Sequence, residues 1–508
     1  MCCSQYSPIS TMRDLFNIIG GQSEKISKSS EIFSVKNPAN GQLVVQFSPS
    51  DDPTVDKAVE AARAAFTTWS KTTAKQRAQT FFKFRSLCLE KYREELIETI
   101  TLENGKHKTD ATASFLKGIE TCEYALSPTS LGHGSIQEVS SGITCQDRRD
   151  ALGVIVSICP FNFPAMVPMW TLPILAACGN CVVVKPSEKV PLTITRMVEI
   201  MHEAGLPAGV VQVVHGGQSV VRRLITHPDV DGVTFVGSTP VAEIVYNTAV
   251  QAGKRAICLG GAKNHLVVMP DADPEQTSTD ILNSFAGSAG QRCMAASVLL
   301  LVSNDPRVDE ILNLVVSKAR AVKPGQKNPG EIGPVIDQTA LDRISKYISE
   351  SEGKYGGTLL VDGRGWSKSH PEGFWVGPTI IEHPTDSEDP ALKNEIFGPV
   401  LSIIRVNTIE EAIARINASP YGNAACIYTK TGYIADKFSK SVDPGMIGVN
   451  IGVPVPREPF SFGGTKRSKF GISDITGDGL VEFGTVRRKI TTKWTWSGGD
   501  FVSKNFTG

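Results

Sequence analysis

The stretch "GVIVSIC" at residues 153–159 is short and apolar almost throughout, and it runs straight into the proline-bounded loop "PFNFP". Three similar stretches follow: "CVVVKP" (181–186), "VVQVVHG" (210–216) and "GVTFVGS" (232–238). A strand solvated on one face would alternate apolar with polar residues; near-continuous runs indicate cover on both faces. Each run ends on a turn signal, and segments of helical spacing separate them. That alternation predicts a parallel sheet with helices on both sides. A second series, "HLVVMP" (265–270), "SVLLLV" (297–302), "GTLLV" (357–361), "VLSIIRV" (400–406) and "ACIYT" (425–429), predicts another α/β lobe, with a junction near 260. Ahead of both, residues 52–106 read as two amphipathic helices and "SEKISKSSE" (23–31) as a polar turn. The segment "VRRKITTKWTW" (486–496) alternates charge with apolar residues, as an extended arm pairing with a strand of another subunit would.

A chain of 508 residues is too long for one small core and fits two to four lobes. Lys+Arg and Asp+Glu are both 52, so no bulk field directs the chain to nucleic acid or an anionic membrane. The longest apolar run, "PAMVPMWTLPILAAC" (164–178), is short and broken by prolines, so no membrane span is expected. The cysteines number 11 and sit mostly inside apolar runs, which favours buried free thiols over a disulfide framework. The pair in "CGNC" (178–181) fits a tight turn better than a redox site. The 8 histidines are dispersed without metal-ligand spacing, so no metal is expected. The N-terminus lacks a secretory core; its Arg13 stands beside Asp14, a weak transit signal, and Cys2 and Cys3 lack the flanking signals of acylation.

No G-x-G-x-x-G follows an early strand, yet Lys185 and Glu188 fall just past a strand end, where open α/β sheets bind ligands. A lysine can hydrogen-bond ribose hydroxyls, and a carboxylate there accepts from a free 2′-hydroxyl but repels a 2′-phosphate, favouring NAD over NADP. "FVGSTPVAEIV" (235–245) places Ser238 in a turn before a helix whose N-terminus can face a diphosphate. Asn162 carries a neutral amide donor of the kind an oxyanion hole uses, provided that it faces Cys293 of "GSAGQRCMA" (287–295).

Taken in order, "PFNFP" (160–164), "KPSE" (185–188), "FVGS" (235–238), "LGGAKNH" (259–265), "GQRC" (290–293) and "EIFGPV" (395–400) resemble the aldehyde dehydrogenase superfamily over nearly the whole chain. "GAKNHLVVMPDAD" (261–273) with "GSAGQRCMA" is similar to the CoA-acylating methylmalonate-semialdehyde dehydrogenases. The resemblance implies a Rossmann-type NAD-binding lobe (1–130 and 151–260, rejoined by 451–484), an α/β catalytic lobe (261–450) and a small β-strand oligomerisation arm (131–150 and 485–508). It implies a homodimer or homotetramer, in the mitochondrial matrix of a eukaryote or the cytoplasm otherwise. Cys293 becomes the nucleophile, with its own N–H and the Asn162 amide holding the oxyanion. Cofactor contacts fall on Cys159, Phe161, Lys185, Glu188, Lys189, Ser238, Gly260 and Glu395.

Hydrolytic members carry a glutamate at the head of an E-L-G-G-K segment, where it activates water. Here the segment reads "AICLGGAKNH" (256–265), which places Cys258 or Leu259 at that position, depending on whether the glycines or the lysine are aligned. Neither can take a proton from water near neutral pH. The expected reaction is therefore NAD-dependent oxidation of methylmalonate or malonate semialdehyde through a Cys293 thioester, with loss of carbon dioxide and transfer to coenzyme A. The alternative is a hydrolytic semialdehyde dehydrogenase releasing a free acid. The resemblance also implies two arginines that grip the substrate carboxylate. Arg292 matches one; the other position holds Lys117, and Arg457 of "VPVPREPFSF" (453–462) is a candidate replacement.

Overall fold

The computed structural model describes residues 14–27, 29–127 and 134–494. Cys2, Cys3, Arg13 and residues 131–133 and 495–508 of the expected arm lie outside that range. The four opening runs form adjacent strands of an eight-stranded sheet. Its order is Gln22–Lys25, Phe16–Ile19, Val211–Val213, Cys181–Lys185, Val154–Ile158, Gly232–Val236, Arg255–Leu259, Lys469–Phe470. The five central strands are parallel. Every residue of Val154–Ile158 and of Cys181–Lys185 is buried, the consequence of helix cover on both faces. The helix Met166–Ala177, with all 12 residues buried, supplies part of that cover.

The order of strands creates the crevice. From Val154–Ile158 the chain moves outward to Cys181–Lys185 and Val211–Val213, then returns to the opposite side with Gly232–Val236 and Arg255–Leu259. The loops leaving Ile158 and Val236 therefore diverge, and a gap opens at the C-terminal edge of the sheet.

A second sheet runs Thr358–Val361, Thr379–Glu382, Val400–Val406, Ala296–Val302, Asn264–Val268, Ala424–Tyr428, Met446–Val449. All its pairs are parallel except the first, so "GTLLV" joins as an antiparallel edge. A third, antiparallel sheet holds Ser135–Ser140, Ile143–Ala151 and Thr485–Lys493. The strand expected to pair across a subunit interface thus has one edge filled by its own chain.

Residues 52–106 differ from the two helices expected. Asp51 accepts the Thr54 N–H to start Asp52–Trp69, and a Thr73–Gln76 capping box starts Ala74–Ser86. A π turn at Leu87–Lys91 then separates off a further helix, Arg93–Asn104. Gly105 ends it at φ 83, where a Cβ would sit 2.9 Å from Pro38. Apolar periodicity continues across the break, which is why the sequence reads as one helix there. "SEKISKSSE" likewise contributes the short edge strand Gln22–Lys25. Cys178 and Cys181 are buried on either side of a turn built on Gly179, at φ 97. Among the described residues no helix is long and apolar enough to cross a membrane.

Candidate active site

Loops from four parallel strands wall a cavity of about 1190 Å³. Cys159, Phe161 and Asn162 follow Val154–Ile158, and Lys185, Glu188 and Lys189 close or follow Cys181–Lys185. Ser238 follows Gly232–Val236, and Gly260 follows Arg255–Leu259. From the second half of the chain come Cys293 and Glu395. One cavity therefore collects all ten residues expected at the nucleophile, the oxyanion and the cofactor.

Its outer part suits a dinucleotide. Lys185 is buried, and its Nζ donates to Gly216 O at 3.3 Å and to Glu188 Oε2 at 3.5 Å. Burial depresses the ammonium's pKa and Glu188 opposes that shift. Lys189 instead donates to Asp337 Oδ2 at 2.6 Å and lies over the Phe161 ring. Ser238 is the exposed N-cap of Thr239–Gln251 and makes no side-chain cap bond, which leaves a positive helix end open to the cavity. Beyond it Val221, Ile225, Val241 and Ile244 form an apolar wall from two helices, suited to a flat ring. These four were invisible in the sequence, because on a helix they read as ordinary core positions.

The inner end is the turn before Cys293. Ser288 and Ala289 are both left-handed, at φ 52 and 54, a conformation costing a non-glycine residue on the order of 1 kcal/mol or more. Gly290 follows at φ 67, where a Cβ would stand 2.1 Å from Gly398 O. Gln291 is fixed from both sides: its Oε1 accepts the Ile336 N–H at 3.0 Å, and its carbonyl accepts Asn162 Nδ2 at 3.0 Å. The Cys293 carbonyl accepts amide N–H groups from Asn264 and Asn423, both at 2.8 Å. Asn162 thus spends one N–H on the nucleophile turn itself and faces the cavity that Cys293 lines. Burial, and then the charge of Glu395, push the Cys293 thiol up to about 12.

Glu395 lines the same crevice as Cys293, and its charge acts on the sulfur. Its Oε1 accepts the Ala262 N–H at 2.9 Å, and a Cβ on Gly261 would meet Oε2 at 2.5 Å. Burial raises its carboxyl to about 7, opposed by that N–H and by Lys263. Lys263 is itself buried with no hydrogen-bond partner for Nζ among the described residues, and burial lowers it to about 7. Cys258 and Leu259 are buried at the end of their strand, while the cavity wall there is made by Gly260 and Gly261.

A family model, the aldehyde dehydrogenase family, matches residues 25–488. The chain is an aldehyde dehydrogenase. It is 43% identical to malonate-semialdehyde dehydrogenase 1 of Geobacillus thermodenitrificans over 486 residues, 95% of this chain and 99% of that protein. A crystal structure of a putative methylmalonate-semialdehyde dehydrogenase from Sinorhizobium meliloti, complexed with NAD, superimposes with a TM-score of 0.92 at 37% identity, covering 97% of this chain and all of that one. The methylmalonate-semialdehyde dehydrogenase of Oceanimonas doudoroffii superimposes with a TM-score of 0.91 at 39% identity, covering 96% and 99%.

The three cations expected at the substrate of this aldehyde dehydrogenase are not gathered in the large cavity. Arg292 lines a small crevice beside Cys293 and Glu395; its Nη2 donates to Asp110 Oδ1 at 2.9 Å and its Nη1 to Asn283 O at 3.2 Å. Lys117 is committed to Glu120 at 3.1 Å and to Glu458 at 3.3 Å, with Glu458 only 10% exposed. Arg457 is exposed on the loop carrying Glu458. The two departures from the family pattern thus meet: the lysine is opposite the carboxylate that the charged loop introduced. Sequence reasoning also missed Asp110, Asn264, Asn423 and Lys106, whose Nζ is buried 4.3 Å from the Phe163 ring centroid. Asn264 does lie inside the quoted "LGGAKNH", and Lys106 ends the segment 52–106, but their roles depend on the path of remote loops.

Proposed function

We propose that this aldehyde dehydrogenase oxidises malonate or methylmalonate semialdehyde with NAD and delivers the acyl group to coenzyme A, losing the β-carboxylate as carbon dioxide. Cys293 Sγ loses its proton to solvent water, and the thiolate adds to the aldehyde carbon. The oxyanion so formed is held by the Cys293 N–H and the Asn162 amide; one donor of this kind contributes roughly 2.7–4 kcal/mol. NAD, when bound across Lys185, Glu188 and the Ser238 helix end, supplies the hydride acceptor. Collapse of the oxyanion leaves a thioester on Cys293, the carbon dioxide departs, and the carbon that bore it takes up a proton. The coenzyme A thiolate then attacks the carbonyl and expels the Cys293 thiolate.

The observation that carries this reading is that the 258–261 segment brings no carboxylate of its own: Gly260 and Gly261 line the cavity, Cys258 and Leu259 are buried, and the one acid that reaches this wall among the described lining residues, Glu395, comes from a remote loop and is held by the Ala262 N–H. Thiol–thioester exchange needs little base assistance, and water needs a good deal. The relatives' names support the semialdehyde class. Arg292 is the cation nearest the nucleophile in sequence and is 20% exposed, so we assign the substrate carboxylate to it. The test is product analysis with and without coenzyme A for malonate, methylmalonate and succinate semialdehydes: acyl-CoA should form from the first two. Turnover at full rate to a free acid without coenzyme A would overturn the assignment.

One observation favours a hydrolytic second reading. Glu395, with a carboxyl near 7 and an electrostatic effect on Cys293, has the properties of a general base. The same product analysis decides between the two, and on Glu395→Gln only the hydrolytic reading expects acid release to collapse.

A further inference from the structure

The turn that carries Cys293 is fastened from outside by a single carboxylate. Asp110, in the first turn of the helix Lys108–Ala125, accepts the Ser288 N–H on Oδ2 at 2.9 Å and Arg292 Nη2 on Oδ1 at 2.9 Å. These two contacts bracket the consecutive left-handed residues Ser288 and Ala289. Such a pair of non-glycine residues does not hold that shape unaided, so the turn needs a tether. The Arg292 guanidinium also lies flat against Gly287, where a Cβ would meet Nη1 at 2.6 Å. Burial alone would raise the Asp110 carboxyl, yet Arg292 and the buried Lys106 together hold it below the ordinary range, so it stays ionised.

The same carboxylate has an electrical consequence. Arg292 adjoins Cys293 and favours its thiolate, whereas Glu395 opposes it. An ionised Asp110 on the guanidinium offsets the first of these. We propose that Asp110 is a positioning residue for Cys293, holding the 288–289 turn in its left-handed form and muting the Arg292 charge beside the sulfur. The proposal rests on Cys293 being the nucleophile.

The test reads the sulfur directly. Alkylation of Cys293 by iodoacetamide in the NAD-free enzyme at pH 8.5, followed by peptide mass spectrometry, should be at least threefold faster in Asp110→Asn and at least threefold slower in Arg292→Gln. Glu395 is unchanged in both variants. The kcat of Asp110→Asn should fall at least tenfold, because an amide holds the turn without the charge-assisted bond to Arg292. A purely structural role loosens the loop in either variant and moves both alkylation rates the same way, so opposite signs support the proposal. Equal signs, or an Asp110→Asn rate at or below wild type, overturn it. If Asp110→Asn does not fold, Arg292→Gln decides alone: an unchanged or faster rate overturns the proposal. Wild-type enzyme that keeps its turnover after complete Cys293 alkylation would instead refute the nucleophile reading.

Discussion

Replacing Glu395 by glutamine should make the protein more stable above neutral pH and affect it much less in mild acid. Burial raises this carboxyl from 4.5 to about 7 in the folded chain. Between those values the folded state binds the proton that the unfolded state has released, so stability falls as pH rises through the window and the loss is complete above 7. The rise is equivalent to about 3 kcal/mol at pH 8 and about 1 kcal/mol at pH 5. Glutamine keeps an oxygen for the Ala262 N–H and removes the titration. It also takes an opposite charge away from Lys263, so about 3 kcal/mol is a ceiling. Urea unfolding of both proteins at pH 5 and pH 8 measures the difference. The variant should gain on wild type by roughly 2 kcal/mol between the two conditions. A stability difference that does not change with pH would show that Glu395 is ionised normally, and the argument for a tuned carboxylate in this cavity would fail.

Other outcomes follow from the same geometry. Asn162→Ala should lower kcat by roughly 10²–10³-fold, since it removes an oxyanion donor and also the bond to Gln291 O; stopped-flow NADH formation measures this. Glu188→Gln should improve the use of NADP relative to NAD by removing the charge that repels a 2′-phosphate, read as the ratio of kcat/KM values. Lys117→Met should destabilise the fold by roughly 3 kcal/mol by stranding Glu458, and the double variant with Glu458→Met should recover most of it in urea unfolding. Gly290→Ala should abolish turnover with the fold retained, because its Cβ would fall 2.1 Å from Gly398 O; circular dichroism beside an activity assay checks both halves.

The fold was legible wherever burial dominates the residue pattern. Val154–Ile158 and Cys181–Lys185 are buried on both faces, so their apolar runs could only be central parallel strands, and the residues just past them had to reach the C-terminal edge. Lys185, Glu188 and Ser238 were found by that logic, whereas Gly260 came from the family resemblance. Edges were not legible: Gln22–Lys25 is mostly exposed and polar, and its pairing with Phe16–Ile19 leaves no hydrophobic signature. Nor was the break at Leu87–Lys91, where the apolar spacing continues while the backbone bonds shift. At the site, sequence supplied the side chains whose chemistry is self-evident and missed those that act by reach. Asp110 lies 182 positions from Arg292 and Asn423 lies 130 from Cys293, and only the folded chain brings them together. Lys117, expected at the substrate from its place in the family pattern, pairs with Glu458 of a remote loop, a partner the sequence did not suggest.

An acyl group on Cys293 should outlast attack by water. Mixing enzyme, NAD and malonate semialdehyde without coenzyme A, then quenching in acid for intact-protein mass spectrometry, measures that lifetime. A near-stoichiometric adduct on Cys293 should persist through many turnover times and discharge as acyl-CoA when coenzyme A is added. An adduct that never accumulates while free acid appears at the full rate would contradict this.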